Sequence, residues 1–240
     1  MSSGEKFVGG DQGYLRDVQY VNSERLRARA ALHAKYGTAA APWFRWLVSL
    51  VDWPASGDVL EAGCGPGWMW AEAAAVLPAG LRLTLTDLSP GMVREAHVRV
   101  SALERFAAVS AGVVDAQRLP FPDASFDVAV ANHILYHVPD PTAAVAELAR
   151  VIRPTGYLLA AANGPDNMKE LWEIRSEIFG KGSMALLRLS ALSRGGRSFR
   201  PASVKSSGID TATSCGALSP RTSSPTSPRL RPAKTPPRNV

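Results

Sequence analysis

Short apolar runs alternate with helix-like stretches along the middle of the chain. The predicted strands are 59–62, 81–86, 109–114, 126–131 and 157–162, and the predicted helices are 66–77, 89–103, 141–152 and 166–179. The assignment follows from strand-like and helix-like spacing of the apolar residues. Strands that alternate with helices form a parallel sheet that helices cover on both faces. We therefore expect an α/β fold with five strands by residue 162.

Residues at the starts of three predicted helices support these bounds. Pro66 and Pro90 stand at first helical positions, where the fixed φ of proline suits a helix. Ser89 and Asp140 directly precede helices, and their side chains can accept hydrogen bonds from the free N–H groups there.

Two further regions flank the α/β section. Residues 11–50 have apolar residues at helical spacing, and Pro54 and Gly57 end that region. Residues 201–240 contain eight Ser and seven Pro, a composition that favours disorder. We predict an N-terminal helical lid at 1–50, a mostly parallel α/β domain at 51–180 and a Ser/Pro/Arg-rich tail at 181–240.

The net charge of +6 comes from the tail. Residues 181–240 hold eleven Lys and Arg and one acid, Asp210, whereas residues 1–180 hold 16 basic and 20 acidic residues, a net charge of −4. The folded body is therefore not expected to bind nucleic acid, although a basic tail can do so.

Other features bear on the location of the protein. No long apolar stretch is present and none follows the N-terminus, which predicts neither a membrane span nor a signal peptide. The two cysteines, Cys64 and Cys215, stand in different regions. We expect no structural disulfide, no metal site and a cytoplasmic protein.

The most informative segment is 59–67, Val-Leu-Glu-Ala-Gly-Cys-Gly-Pro-Gly. It predicts a buried strand that ends in a tight turn at Gly63, Gly65 and Gly67, where a ligand can lie directly on the backbone. The following helix would direct its N-terminal amides toward that ligand.

The glycine spacing separates two kinds of cofactor site. A dinucleotide fingerprint needs G-x-G-x-x-G, whereas this chain has G-x-G-x-G with Glu61 two residues earlier. The spacing resembles the glycine motif of S-adenosylmethionine-dependent methyltransferases with the Rossmann-like fold. A tight turn without a ligand is the alternative.

Asp87 lies at the end of the second predicted strand, about twenty residues beyond the glycines. A carboxylate there can accept both ribose hydroxyls of a nucleoside cofactor. The alternative is that Asp87 caps the next helix, a role for which Ser89 is better placed. We expect Leu88 and Cys64, which adjoin these motifs, to line the same cofactor site.

The resemblance assigns roles to residues after the third and fourth strands. In such methyltransferases an acid after the third strand accepts from the adenine amino group, and Asp115 with Ala116 matches that position. Asn132 starts the loop after the fourth strand and is expected beside the cofactor. His133 and His137 in this loop are candidate catalytic bases, and pocket-wall or packing roles are the alternatives.

The motifs and the segment 148–157 together resemble the ubiquinone/menaquinone-biosynthesis-type small-molecule methyltransferases over residues 14–180. Ala62 and Thr155 depart from the commoner residues of that family. Enzymes that methylate nucleobase or glutamine nitrogens usually carry Asn/Asp-Pro-Pro-Tyr/Phe after the fourth strand, but residues 132–135 are Asn-His-Ile-Leu. The resemblance therefore implies S-adenosylmethionine as cofactor and a small-molecule acceptor.

The tail departs from the family fold, which ends in an antiparallel strand pair. Residues 181–240 show no such pair, so we expect it to be missing or replaced by a disordered tail. A shifted reading frame is one explanation: back-translation from residue 208 with G/C-rich codons can yield a strand-like peptide in another frame.

The sequence therefore favours a methyltransferase that modifies oxygen or nitrogen of a small molecule in secondary or quinone-type metabolism. Three alternatives stay open: a non-catalytic methyltransferase-like binding protein, a nicotinamide-dependent oxidoreductase and a nucleic-acid-binding tail. The acceptor and the oligomeric state are not specified by the sequence.

Overall fold

The computed structural model describes residues 11–37, 39, 41–163, 200–201 and 213–219. The strands are β1 Ser56–Ala62, β2 Gly80–Asp87, β3 Ala108–Val113, β4 Phe126–Asn132, β5 Ile152–Asn163, β6 Arg200–Pro201 and β7 Thr213–Ser219. The helices are α1 Gln12–Tyr14, which continues as a π-helix over Leu15–Gln19, then α2 Glu24–Tyr36, α3 Trp43–Val48, α4 Trp68–Ala73, α5 Pro90–Ser101 and α6 Pro141–Val151.

The strands form one sheet in the order β3-β2-β1-β4-β5-β7-β6. Strands β1 to β5 are parallel, which confirms the five predicted strands. The chain order reverses between β1, which pairs with β2, and β4 on the other side. Ligands of open α/β sheets bind beyond the carboxyl ends of the strands at such a point.

Alternate residues of the central strands pack on opposite faces of the sheet. Val59 and Val128 belong to one buried cluster, and Leu60 and Ala129 belong to the other. All four side chains are fully buried. The sheet is therefore covered on both faces, as parallel sheets usually are.

The predicted helix starts at Ser89 and Asp140 are confirmed, whereas the predicted start at Pro66 is wrong. Ser89 Oγ accepts from the backbone N–H of Met92 at 3.2 Å, with Pro90 at the first helical position. Asp140 Oδ1 accepts from the backbone N–H groups of Thr142 and Ala143. The predicted helix over 66–77 is shorter in the structure, Trp68–Ala73.

The structure differs from the prediction at one edge of the sheet. Strand β7 pairs antiparallel with β5 from Leu158 to Asn163, and β6 pairs with β7, so a C-terminal strand pair is present. The sequence Thr-Ser-Cys-Gly-Ala-Leu-Ser lacks the alternation that signals a strand, but the open edge of β5 supplies unpaired backbone groups that any extended segment can bond. The predicted helix 166–179 and the rest of the tail lie outside the described residues.

Among the residues that the structure describes, no helix is both long enough and apolar enough to cross a membrane.

Candidate active site

A small cavity of about 90 Å³ lies beyond the carboxyl ends of β1 and β2. It brings together six residues that the sequence nominated: Gly63, Asp87, Leu88, Asp115, Ala116 and His137. A second, wider cavity of about 540 Å³ extends along residues 113–120 and shares the Asp115 wall. Val114 and Asp115 line both cavities.

The three glycines of the turn all have left-handed backbone conformations, with φ of 71° at Gly63, 51° at Gly65 and 75° at Gly67. At Gly63 an added Cβ would lie 1.9 Å from Ile134 Cγ2. A side chain at this position is therefore excluded by both conformation and space.

The other two glycines do not line this cavity. An added Cβ at Gly67 would meet Val100 Cγ2 at 2.9 Å, so this glycine lets the turn pack against α5. The position of a Cβ at Gly65 is 4.0 Å from Leu26 Cδ2 on α2. Gly63 therefore lines the cavity, Gly65 faces the N-terminal segment (residues 11–36), and Gly67 packs against α5.

Glu61 lies in β1 just before the turn, Cys64 lies within the turn, and both are buried. Glu61 is 2% exposed, and its Oε2 accepts from Trp70 Nε1 at 2.6 Å. Burial raises the pKa of Glu61 to about 8, although the Trp70 hydrogen bond opposes the shift. The Cys64 backbone N–H donates to Thr86 O at 2.8 Å, and burial raises the pKa of its thiol.

Asp87 fastens the glycine turn to the start of α5. Its Oδ2 accepts from the backbone N–H of Gly65 at 3.0 Å, and its Oδ1 accepts from that of Ser89 at 2.8 Å. Burial raises the pKa of this carboxyl, and the backbone donors oppose the shift. Each carboxylate oxygen has further acceptor capacity, so Asp87 can hold the turn and also accept from a ligand in the cavity.

Asp115 accepts hydrogen bonds from the side chain of Gln12. Gln12 Nε2 lies 2.9 Å from Asp115 Oδ2, and the Gln117 backbone N–H donates to Oδ1 at 2.9 Å. Burial favours a higher pKa for Asp115, but these donors outweigh it and hold the pKa below its ordinary value. The carboxylate is therefore placed to accept an NH₂ group, and Gln12 supplies one.

The loop after β4 holds His133 in a left-handed conformation, with φ of 59°. Its backbone N–H donates to Ala161 O at 2.8 Å, which ties the loop to β5. Burial lowers the pKa of His133 to about 4, and the charge of His33 on α2 adds to the shift. Because its pKa is this low, His133 is neutral near pH 7.

His137 pairs with a residue of the N-terminal segment. The Tyr20 hydroxyl lies 2.9 Å from His137 Nε2 and accepts from Arg29 at 3.1 Å. Burial raises the pKa of Tyr20, and the Arg29 charge opposes the shift. The arrangement links α2 through Tyr20 to the loop after β4.

Two of these partners, Gln12 and Tyr20, were missed from the sequence. Both lie in the N-terminal segment, where helical periodicity indicates helices but not which residues face the sheet. A polar residue in such a region gives no signal of its contacts. Tyr36, at the end of α2, is in contrast 67% exposed.

Comparison with known proteins finds a matching family model over part of the chain. The sequence model for a methyltransferase domain matches residues 60–160, which run from β1 through β5. This part of the chain is therefore similar to methyltransferase domains.

Three relatives illustrate the breadth of the similarity. A malonyl-[acyl-carrier protein] O-methyltransferase of Serratia marcescens is 32% identical over 127 residues, 52% of this chain and 45% of the relative. A ubiquinone/menaquinone biosynthesis C-methyltransferase UbiE of Citrifermentans bemidjiense is 28% identical over 49% of this chain and 50% of the relative. A solved S-adenosylmethionine-dependent methyltransferase of Thermotoga maritima, a possible histamine N-methyltransferase, has a TM-score of 0.49 at 20% identity, over 67% of this chain and 70% of that one. The chain spans about half the length of these curated relatives.

The residues around the cavity fit S-adenosylmethionine, the cofactor that the sequence resemblance implies. Asp115 already accepts from an amide NH₂ group, and the adenine amino group is the corresponding donor of the cofactor. Asp87 presents a carboxylate for hydroxyl groups, and Gly63 leaves backbone without a side chain. The cavity next to Gly63 is narrow, so the N-terminal segment that lines it has to move when a ligand enters.

Replacing Gln12 by alanine is expected to strengthen binding of S-adenosylmethionine by about three- to tenfold, because one competing hydrogen bond to Asp115 is worth about 0.5–1.5 kcal/mol. Titration calorimetry of the full chain measures the change. Gln19→Ala, in the same segment, is the matched control. Weaker binding by Gln12→Ala would mean that the amide helps to hold the cofactor.

Proposed function

We propose that the chain is an S-adenosylmethionine-dependent methyltransferase that modifies oxygen or nitrogen of a small-molecule acceptor in secondary or quinone-type metabolism. The observation that carries the proposal is the convergence of Gly63, Asp87 and Asp115 on one cavity at the point where the strand order reverses. These residues lie at or just beyond the carboxyl ends of three strands, and each offers a group that suits one part of the cofactor.

The residues divide into three groups by the part of the cofactor that they would hold. Asp115 and Ala116 would take the adenine, and Asp87 with Leu88 the ribose. The turn that starts at Gly63 would bind the methionine part, and Glu61, which precedes the turn, would support it. Asn132 ends β4 and His133 begins the loop after it. The acceptor would therefore approach from the side of the loop after β4.

The chemistry asks little of the protein beyond placement. When bound, S-adenosylmethionine supplies a methyl group on a positively charged sulfur. The chain has to orient the acceptor in line with that group, exclude water and take up a proton if the acceptor loses one. His133 and His137 in the loop after β4 are the candidates for the proton.

Residues 1–50 would act as the lid of this site. Ser89 Oγ donates to Tyr20 O at 2.7 Å, and Glu95 Oε1 accepts from the backbone N–H of Ser23 at 3.0 Å. Helix α2 has no buried residue of its own, and these two hydrogen bonds attach the residues just before it to α5 and its N-cap residue. An element attached in this way can open at low cost.

Transfer of a labelled methyl group tests the proposal. The full chain is incubated with S-adenosylmethionine carrying a labelled methyl group and with a small-molecule extract of cells. Label in the small-molecule fraction is expected. Label only in acid-precipitated protein or nucleic acid would contradict the small-molecule acceptor, and cofactor binding without any transfer would favour the non-catalytic alternative.

A further inference from the structure

Two buried nitrogen atoms near the end of β4 have no hydrogen-bond partner among the described residues. They are Trp43 Nε1 on α3 and His133 Nδ1, and the neighbouring Asn132 Oδ1 is also unpaired. The rings of Trp43 and His133 lie 5.6 Å apart between centroids, at an interplanar angle of 39°. Because buried polar atoms are nearly always paired in folded proteins, three such atoms in one region call for a ligand.

The backbone at His133 supports a ligand-binding role for this region. The residue has φ of 59°, and a non-glycine side chain seldom adopts this conformation. Strained residues of this kind cluster at ligand sites, where the surrounding structure holds them in place. At His133 the hydrogen bond to Ala161 O provides that restraint.

The surroundings are aromatic. The Tyr136 ring lies 6.4 Å from the His133 ring, and the Trp46 ring lies 5.1 Å from the Trp43 ring. None of these rings carries a charge at neutral pH, because burial lowers the pKa of His133 to about 4. Such walls suit an apolar or aromatic body that carries a single polar group.

The unpaired atoms determine which hydrogen bonds the polar group of the ligand must donate and accept. The Trp43 indole N–H is only a donor, Asn132 Oδ1 is an acceptor, and a neutral His133 accepts at the ring nitrogen that carries no proton. The matching group must accept one hydrogen bond and donate another. A hydroxyl group does both, whereas a carboxylate only accepts.

The count of lone pairs separates a hydroxyl from an amine. A hydroxyl oxygen that accepts from Trp43 keeps a second lone pair for the methyl group. An amine nitrogen has one lone pair, so the hydrogen bond from Trp43 would occupy the electrons that the reaction needs.

We propose that Trp43 and His133 form the acceptor subsite and hold the hydroxyl group of an aromatic acceptor for O-methylation. This inference rests on the proposed methyltransferase function. The acceptor oxygen forms a bond to the methyl carbon while the carbon–sulfur bond breaks with its electron pair going to sulfur, and the hydroxyl proton moves to His133. A weak base is sufficient, since an oxygen that gains a methyl group becomes strongly acidic as the bond forms.

Binding of phenol, with its methyl ether anisole as the matched probe, tests the inference without turnover. Two-dimensional nitrogen–proton NMR of the full chain follows the Trp43 indole N–H, which is assigned by its disappearance in Trp43→Phe. Phenol is expected to shift this signal and to bind about tenfold more tightly than anisole, which has no hydrogen to donate. His133→Phe and Trp43→Phe should each remove the preference, and Trp46→Phe, which keeps both unpaired nitrogens, should retain it.

Equal binding of phenol and anisole, or an unmoved Trp43 signal, would overturn the inference. Titration of the same sample with S-adenosylmethionine distinguishes failure of the hydroxyl subsite from failure of the proposed function. Cofactor binding without a response to phenol would remove only the hydroxyl subsite. Failure to bind the cofactor would remove the proposed function itself.

Discussion

Replacing Gly63 by alanine is expected to weaken binding of S-adenosylmethionine by at least about 100-fold. The added methyl group would lie 1.9 Å from Ile134 Cγ2, in a residue whose φ is 71°. The strained conformation and the clash each cost about 1–3 kcal/mol, and relief of the clash moves Ile134 or the turn within the cofactor site. Titration calorimetry measures the affinity, and circular dichroism confirms that the variant is folded.

Gly112→Ala is the matched control for this variant. Gly112 lies in strand β3, and an added Cβ there would have no heavy atom within 4 Å. Its affinity for the cofactor should stay within about twofold of the original chain, since surface substitutions have small effects. A folded Gly63→Ala variant that binds as tightly as the control would contradict the cavity assignment.

The original chain is expected to lose stability as the pH rises. Replacing Glu61 by glutamine is expected to abolish this loss. Burial raises the pKa of Glu61 from 4.5 to about 8 in the folded chain. A raised folded-state pKa means that the stability is fully present below pH 4.5 and is lost as the pH rises toward 8. Glutamine keeps an acceptor for Trp70 Nε1 and carries no titrating proton.

The pH range separates the contribution of Glu61 to the free energy of unfolding from that of His133. Burial lowers the pKa of His133 from 6.5 to about 4, so His133 costs stability only as the pH falls below 6.5. Between pH 6.5 and 8 the Glu61 contribution should decrease by about 2 kcal/mol in the original chain. Urea denaturation at these two pH values measures the free energy of unfolding.

The variant Glu61→Gln should show no such decrease, and Glu104→Gln, at an exposed position, should behave like the original chain. If Glu61→Gln and the original chain lose the same free energy over this range, Glu61 is ionised in the folded state throughout. The carboxyl would then be a permanent negative charge just before the glycine turn.

The cofactor side of the site was predictable because local rules decide it. The glycine turn follows from three residues that tolerate positive φ. Asp87 and Asp115 follow from their positions at the end of β2 and just beyond β3. The carboxyl ends of parallel strands meet at one edge of a sheet, so residues far apart in sequence could be assigned to one site.

The acceptor side was not predictable in this way. Trp43 was expected only as part of an apolar group, and its unpaired N–H becomes visible only when α3 is placed next to the loop after β4. The contacts of Gln12 and Tyr20 likewise depend on how the N-terminal segment lies on the sheet. Such contacts between distant segments leave no periodic signal.

The final strand pair was missed for a different reason. Strand β7 consists mostly of small residues, and its pairing with β5 consists of backbone hydrogen bonds that almost any sequence can form. The pattern of side chains therefore does not predict it. The reading-frame explanation of the tail stays a hypothesis that the coding DNA decides.

The central claim is that the glycine turn and its two aspartates hold S-adenosylmethionine. Titration calorimetry of the full chain with S-adenosylmethionine, and with NAD as the comparison ligand, tests this claim most directly. Saturable binding of S-adenosylmethionine without binding of NAD is the result that we predict. No binding of S-adenosylmethionine by a folded chain, or a preference for NAD, would contradict it.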